Sequence, residues 1–193
     1  MSTPSREPRP QRADAARNRR LVLGAAADAF AERGMDVSIA EIAQRAGVGK
    51  GTVFRHFATK EELLAAIACD RFAELIAVAE DLEDSDDPTT AIREFMAAGA
   101  RMHAKDRTFS QISTRVFMSD PTVQAASDRL TEVVDRLAKR ARGQGTLRPD
   151  LTGKDVRALM SGVCLAAEHF AKSEPQRWRR YLDVVFDGMR AAP

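Results

Sequence analysis

Five residues that offer hydrogen-bond donors or lack a side chain lie within one short stretch of the chain: Lys50, Gly51, Thr52, Arg55 and His56. Lysine, arginine, threonine and histidine donate hydrogen bonds, while glycine lets a backbone approach closely. Donors of this kind bind phosphate oxygens and the edges of nucleic-acid bases. The stretch therefore has the chemistry of a helix that contacts DNA.

The preceding residues predict the elements that would position this helix. Ser38 followed by Glu41 is a capping box, which predicts that a helix begins there. Gly47 is expected to end that helix, because glycine enters the left-handed cap conformation without strain. A second helix is then expected from about Gly49 to His56, which makes the pair a helix-turn-helix. The spacing alone leaves open an ordinary helical hairpin with a basic exterior.

Residues 20–64 resemble the DNA-binding domain of the tetracycline-repressor (TetR) family of transcriptional regulators. The first helix of that family is patterned like residues 22–30 and is closed by a glycine matching Gly34. The other matching residues are Ser38, Ile42, Ala43, Ala46, Gly47, Val48, Gly51, Thr52, His56, Phe57, Lys60, Leu63 and Leu64. The turn over residues 145–152 is also similar to one that precedes the penultimate helix in this family.

The scarcity of β-branched runs and the long stretches of helical period predict an all-α protein. Helix start signals divide it into about nine helices. The last two are expected from Thr152 to about Lys172 and from Ser173 and Pro175 to about Arg190. Residues 13–58 would form a three-helix DNA-binding domain, and residues 59–193 a helical ligand-sensing and dimerisation domain. One of the nine helices is expected over residues 108–118. Residues 1–12 contain three prolines and three arginines. They are expected to form a flexible basic arm, either a solubilising tail or a segment that enters the minor groove.

The resemblance assigns DNA contacts to nine residues: Ser38, Gly49, Lys50, Gly51, Thr52, Phe54, Arg55, His56 and Lys60. Two of them depart from the family pattern. Phe54 stands where tyrosine is usual, so a phenolic hydroxyl is missing, although its ring can still touch thymine methyl groups. Gly49 stands where serine or threonine commonly caps the recognition helix.

The formal charge is distributed unevenly along the chain. Residues 1–60 contain eleven Lys and Arg against six Asp and Glu, a net charge of +5. Residues 61–193 contain nineteen against twenty-two, a net charge of −3. The basic excess coincides with the predicted helix-turn-helix, as binding to phosphate requires.

Other function classes find little support in the sequence. It shows no nucleophile–base pair, phosphate-binding loop or metal-ligand spacing, so neither enzymatic activity nor a metal or cofactor is expected. Cys69 and Cys164 are far apart and are interpreted as reduced core thiols. No signal peptide or membrane-spanning run is present, and a cytoplasmic protein is expected.

The resemblance further implies a homodimer and a small-molecule effector. The last two helices would supply the dimer interface, with Val156, Met160, Val163, Trp178, Tyr181, Val185, Phe186 and Met189 as candidates. Each could equally face its own core. The effector is expected to be a small apolar organic molecule. Its candidate pocket residues are Phe72, Phe95, Met96, Met102, His103, Phe109, Phe117, Met118, Glu168 and His169. Glu168 and His169 are neighbours on a helix, so they cannot both face one ligand.

The sequence therefore predicts a ligand-responsive transcriptional regulator that represses by binding a near-palindromic operator on double-stranded DNA as a homodimer. Two alternatives stay open. The protein could activate transcription, or its helix-turn-helix could be degenerate and serve as a scaffold for protein partners.

Overall fold

The computed structural model describes residues 9–105, 120–171 and 173–191, and these ranges are helical. They contain eight α-helices and one 3-10 helix, which confirms the all-α prediction. In chain order these are α1 (Arg9–Arg33), the 3-10 helix (Gly34–Asp36), α2 (Ile39–Arg45), α3 (Lys50–His56), α4 (Lys60–Asp81), α5 (Pro88–Lys105), α6 (Pro121–Gly143), α7 (Gly153–Glu168) and α8 (Trp178–Met189). The ninth predicted helix, over residues 108–118, lies outside the described residues.

The chain divides into two compact units, Met1–Ile67 and Ala68–Pro193. The division falls within α4, nine residues beyond the predicted boundary between residues 58 and 59, so the first two turns of α4 belong to the first unit. The predicted arm is shorter than expected, because residues 9–12 already form the start of α1.

In the first unit, α1 packs against α2 and α3, and all three contribute to one small core. Val22, Ala26 and Phe30 of α1 are buried with Ile42 of α2 and Val53 of α3. These positions recur at helical spacing on each element, so each helix buries one face.

Side-chain caps set the beginnings of several helices. The hydroxyl of Ser38 accepts from the backbone N–H of Glu41 at 3.3 Å, as predicted for α2. The Glu41 carboxylate does not complete the predicted capping box; it accepts from Arg33 at 2.6 Å instead. At α7 the capping box is complete, since Thr152 and Asp155 each accept from the other's backbone N–H.

The second unit is a bundle in which α5, α6, α7 and α8 pack on one another. Its largest fully buried side chains are Phe95, Ile92 and Met96 of α5, Leu130 and Leu137 of α6, and Leu182 and Met189 of α8, together with Leu147. The bundle is closed at one end by an isolated antiparallel bridge between Leu147 and Arg190. The N–H of Arg148 donates to the carbonyl of Met189 at 3.0 Å, so the end of α8 is fixed to the turn that follows α6.

A largely buried cation links three helices of this unit. The guanidinium of Arg157 on α7 donates to the carbonyl of Ser127 on α6 at 2.8 Å and also to the hydroxyl of Thr131. It lies 5.8 Å from the ring centroid of Phe72 on α4. Burial lowers the pKa of Arg157, because it removes water from the charged guanidinium, and the negative charge of Asp128 opposes this effect.

The last two helices are shorter than predicted. α7 was expected to continue to about Lys172, and the next helix to begin near Ser173 and Pro175. The structure ends α7 at Glu168 and begins α8 at Trp178. The N-cap of α8 is Arg177, which makes no side-chain capping bond, so no local capping signal marks where this helix starts.

A close approach between α6 and the start of α7 leaves no room for a side chain at Gly153. A Cβ atom there would lie 2.5 Å from the backbone nitrogen and 2.6 Å from the Cα atom of Asp135. Backbone atoms in the middle of α6 cannot move aside without disturbing its packing. We therefore expect Gly153→Ala to lower the free energy of unfolding by about 1–3 kcal/mol, measured by chemical denaturation.

Gly24→Ala is the matched control, because a Cβ at Gly24 on α1 would meet nothing within 4 Å. Alanine is the better helix former, so this variant should be as stable as the unaltered protein or more stable by about 0.5–1 kcal/mol. Equal stability of the Gly153→Ala variant would contradict the close helix approach.

Candidate nucleic-acid interface

The recognition helix α3 buries one face and exposes the other. Val53 is completely buried, and Phe57, immediately after the helix, is also buried. Lys50 and Phe54 are exposed and lie one turn apart on the same face. α3 is therefore held by two apolar anchors while its outer surface stays available for contact.

The turn before α3 has the predicted geometry. Gly47 adopts a φ of +67°, in the left-handed region that favours glycine. The N–H of Val48 donates to the carbonyl of Ala43 at 3.0 Å, which closes the end of α2. The backbone then enters α3 at Gly49 with φ −71° and ψ 149°. No side chain caps this helix, so the expected weakness of Gly49 as an N-cap is present.

Phe54 is the largest exposed side chain on α3. Half of its surface, 50%, is accessible, and it is one of four large exposed hydrophobic residues among those described. It lies beside Gly51, which has open space where a side chain would be. An exposed aromatic ring of this kind can contact a thymine methyl group.

Some cations in the described part of this unit form ion pairs with carboxylates, and others do not. Arg45 lies 2.7 Å from Glu32, and Arg33 lies 2.6 Å from Glu41, so these charges join α1 to α2. The pKa of Glu32 is lowered by its hydrogen bond from Arg45. Within the described part of the chain, Lys50 and Arg55 form no ion pair. Their positive charges are therefore uncompensated on the exposed surface of α3.

Lys60 has an internal role that the sequence does not indicate. Its ammonium donates to the carbonyl of Val37 at 2.9 Å and also to the carbonyl of Met35. The same ammonium lies 5.4 Å from the ring centroid of Phe30. An ammonium has three N–H donors, so only one is left for an external partner. The predicted phosphate contact of Lys60 stays a prediction.

The remaining predicted DNA contacts differ in their exposure. Ser38 and Gly51 are exposed, and Thr52 and His56 are half-buried. The hydroxyl of Ser38 already serves as the cap of α2. The nine residues named from the sequence therefore fall into two groups. Those on the outer face of α3 are exposed to solvent, whereas Ser38 and Lys60 also form hydrogen bonds that hold the backbone in place.

A small cavity lies in the second unit, between α5, the end of α7 and the start of α8. Its volume is about 40 Å³. The lining residues are Ala100, His103, Ala104, Cys164, Ala167, Glu168, Ala171, Pro175 and Trp178. Nε2 of His103 lies 2.8 Å from Oε1 of Glu168. Burial, with the nearby Glu168 charge, raises the pKa of Cys164 to about 12, so its thiol stays protonated.

Two of the ten predicted pocket residues, His103 and Glu168, line this cavity. Phe72, Phe95 and Met96 are buried and do not line this cavity, so their assignment to an effector pocket stays a prediction. Met102 is half-buried and does not line the cavity, and His169 is exposed. The other three predictions, Phe109, Phe117 and Met118, lie outside the described residues.

The small residues of the cavity were not predicted from the sequence. Ala100 and Ala104 are four residues apart on α5 and so lie on one side of that helix, while Ala167 lies near the end of α7 and Ala171 in the turn after it. That spacing of small residues around a histidine was the available signal.

The predicted dimer interface requires a correction. Val156, Met160, Val163, Trp178, Phe186 and Met189 are all buried within the single chain. The prediction is wrong for these six, because they form the inward faces of α7 and α8. Tyr181 and Val185 are half-buried and so still have accessible surface.

Two further properties of the described residues bear on the class of protein. No three His, Cys, Asp or Glu side chains among them come together as ligands of a metal ion would. None of the described helices is both long enough and apolar enough to cross a membrane.

Comparison with known proteins gives two family matches and several relatives that cover most of the chain. Residues 22–67 match the bacterial regulatory proteins of the tetR family, and residues 87–191 match the C-terminal domain of SbtR-like transcriptional regulators. A transcriptional regulator of Mycobacterium tuberculosis is 30% identical over 175 residues, 84% of each chain. A helix-turn-helix transcriptional repressor of the same organism is 26% identical over 189 residues, 91% of this chain and 94% of the relative.

A solved structure is similar to this chain over nearly its whole length. The TetR transcription regulatory protein from Mycobacterium vanbaalenii is 34% identical and superposes with a TM-score of 0.68. That match covers 94% of this chain and 99% of the other.

We expect Lys50→Ala to weaken binding to a cognate DNA site about tenfold or more and to change the preferred sequence. The reason is that Lys50 lies in the first turn of α3, exposed and without an ion pair. Affinity would be measured by fluorescence anisotropy against the wild-type site and single-base variants. Lys139→Ala, an exposed lysine of α6, is the control and should leave both quantities unchanged.

Lys60→Met should instead lower the stability of the protein by about 1–3 kcal/mol, because two backbone carbonyls lose their donor. We expect the salt dependence of DNA affinity to keep its slope, because two of the three donors of this ammonium are already used within the protein. Thermal unfolding tests the expected loss of stability, and a titration of DNA affinity with salt tests the expected slope. A slope reduced by about 0.9, the value for one lost phosphate contact, would show that Lys60 contacts DNA directly.

Proposed function

Because the chain belongs to the TetR family of bacterial regulatory proteins, we propose that it is a ligand-responsive repressor that binds a near-palindromic operator as a homodimer. The observation that carries the proposal is the free outer face of α3, with Lys50, Phe54 and Arg55 exposed above buried Val53. The repressor named among the relatives supports repression over activation.

The homodimer uses the outward faces of α7 and α8. Leu165 on α7 and Val184 on α8 are 53% and 67% exposed, unusually so for large apolar side chains. Small exposed residues flank Leu165: Ala158, Gly162 and Ala166. Small residues allow a second helix to approach closely, and a dimer would bury the apolar surface that a monomer leaves in water.

Two recognition helices are needed because one helix-turn-helix contacts only a few base pairs. A two-fold dimer doubles the contact and requires half-sites one helical turn, or a multiple of it, apart. An effector bound in the second unit would favour a state in which α4 is tilted and the two recognition helices no longer fit successive major grooves. Operator affinity then falls by population shift.

We place this activity in the cytoplasm, where bacterial DNA is accessible, and assign the chain no catalytic step. The relatives and the fold are those of transcriptional regulators, which supports that assignment. An activator would use the same surface of α3 and differ in where its site lies relative to a promoter.

The first experiment is selection of bound sequences from a random duplex pool at moderate salt, followed by sequencing. A near-palindromic consensus is expected, because a symmetric dimer contacts two equivalent half-sites. Retention without a consensus would contradict sequence-specific binding. Complete absence of salt-sensitive retention would favour the alternative of a scaffold for protein partners.

We expect Leu165→Arg to dissociate the dimer, because it places a charge in an interface core while leaving the monomer's own packing intact. Sedimentation velocity would report the change, and the circular dichroism spectrum should stay that of a folded helical protein.

Leu21→Arg provides the matched control: Leu21, on α1, is 45% exposed, but lies in the first unit. That variant should sediment as the unaltered protein does. If Leu165→Arg also sediments as a dimer, the interface lies elsewhere.

A further inference from the structure

The first helix of the first unit extends well beyond the core that it helps to form. α1 begins at Arg9, but its first buried side chain among the described ones is that of Val22. Every side chain from residue 13 to residue 21 is exposed apart from that of Asn18, which is half-buried. The part of α1 that precedes Val22 is about 20 Å long, at the rise of an α-helix. Residues 13–21, the basic segment, therefore form a helix whose surface lies largely in solvent.

The basic segment carries three arginines and one carboxylate: Arg17, Arg19, Arg20 and Asp14. Arg17 and Arg20 are exposed, and within the described part of the chain neither forms an ion pair or a hydrogen bond. They are three positions apart and so are neighbours on one side of α1, where like charges repel each other. The segment is therefore less favourable as a solvated helix than as a helix beside a negatively charged surface.

Arg19 connects the basic segment to the end of the recognition helix. Its guanidinium lies 5.2 Å from the ring centroid of Phe57, the buried residue that follows α3. Arg55, two positions before Phe57, is exposed as well. The uncompensated charges of α1 and α3 therefore lie close to each other at this end of α3.

A DNA duplex bound by α3 brings such a negative surface to this place. The major groove is about 12 Å wide, and the phosphates along its borders give the duplex one negative charge for about every 1.7 Å of its axis. α3 has seven residues and is about 10 Å long, so it occupies the groove at one half-site. The longer exposed part of α1, which starts beside the end of α3, can extend over the border of the groove to the neighbouring backbone.

We propose that Arg17 and Arg20 bind phosphates of the duplex that flanks each half-site, which makes α1 a second DNA-binding surface. The inference rests on the proposed operator binding by α3 and extends it to DNA outside the base pairs that α3 contacts. Phosphate contacts carry no base preference. This surface therefore adds affinity and salt dependence, whereas sequence specificity stays with α3.

The test uses the full-length protein and two duplexes: the selected site alone, and the same site extended by one helical turn, roughly 10 base pairs, at each end. Affinity is measured by fluorescence anisotropy over a salt titration. The variant with Arg17→Gln and Arg20→Gln loses two charges and keeps good helix formers. On the extended duplex its slope of log affinity against log salt should be smaller by about 1.8 for each protomer bound, since one phosphate contact contributes about 0.9. The preferred base sequence should stay unchanged.

The variant with Arg101→Gln and Lys139→Gln is the matched control, because it removes two exposed cations from the second unit. It should keep the slope of the unaltered protein. Arg17→Lys with Arg20→Lys preserves both charges and should keep the slope as well. Thermal unfolding establishes that each variant is folded. An unchanged slope in the folded glutamine variant of α1, or an equal reduction in the matched control, overturns the contact by α1.

The two duplexes test where the contact lies. The unaltered protein should bind the extended duplex more tightly than the short one, and the glutamine variant of α1 should lose most of this gain. Equal affinity of the unaltered protein for both duplexes would overturn a contact outside the half-site.

The unaltered protein tests the proposed function separately. Selection without a consensus sequence contradicts operator binding, and the slopes of the unaltered protein and the glutamine variant of α1 are then compared on a random duplex, where phosphate contacts by α1 should still show. Selection of one consensus by both proteins, with a common slope, overturns the contact by α1 alone. Absence of any DNA retention overturns both.

Discussion

The position of the recognition helix depends on the short backbone between α1 and α2, which the ammonium of Lys60 holds from the start of α4. That side chain donates to the carbonyls of Met35 and Val37 and lies over Phe30. Unpaired carbonyls at this bend would have to be solvated or strained, because the 3-10 helix is too short to satisfy them. One lysine thus fixes the end of α1, the entry to α2 and the beginning of α4 relative to one another.

Ion pairs reinforce the same region from its outer side. Arg45 and Arg33 bind Glu32 and Glu41, respectively, and so join α1 to α2. Exposed pairs of this kind add little stability. Their larger effect is on the distribution of charge. Among the described residues, the positive charges of Arg33 and Arg45 are compensated, whereas those of Lys50 and Arg55 on α3 are not. Lys50 and Arg55 carry only part of the basic excess of the first sixty residues, because six of the eleven cations there lie in residues 1–20.

Local signals made the helix-turn-helix predictable from sequence. Ser38 and Gly47 act through neighbours within a few residues, so their roles follow from residue type and spacing. The outward surface of α7 was not predictable in this way. Its strongest apolar stripe, including Val156 and Val163, faces the core, and the accessible face is made of small residues around Leu165. Periodicity identifies two faces of a helix but does not say which one a second chain covers.

The cavity, like the outward surface of α7, is not predictable from the pattern of large apolar residues. Sequence reports which large side chains are available to fill a core, whereas a cavity exists where they are missing, at Ala100, Ala104 and Ala167. The boundary between α7 and α8 is not predictable from local signals for a related reason. Trp178 begins α8 through burial rather than through a cap, and burial depends on distant residues. The contact of His103 with Glu168, sixty-five positions apart, likewise arises only in the folded chain.

The length of α3 has a consequence for the energetics of recognition. A helix of seven residues without a capping side chain would not be ordered in isolation. Its order comes from Val53 and Phe57, which act as two fixed points at its middle and its end. The first turn, which carries Lys50, is therefore the part with the least support and the lowest cost of local opening. Backbone amides there should exchange with solvent faster than those at Val53, and bound DNA should slow that exchange. Part of the binding free energy for an operator is thus offset by the entropy lost when the first turn of α3 becomes ordered. A change of temperature therefore alters DNA affinity even when every contact is retained.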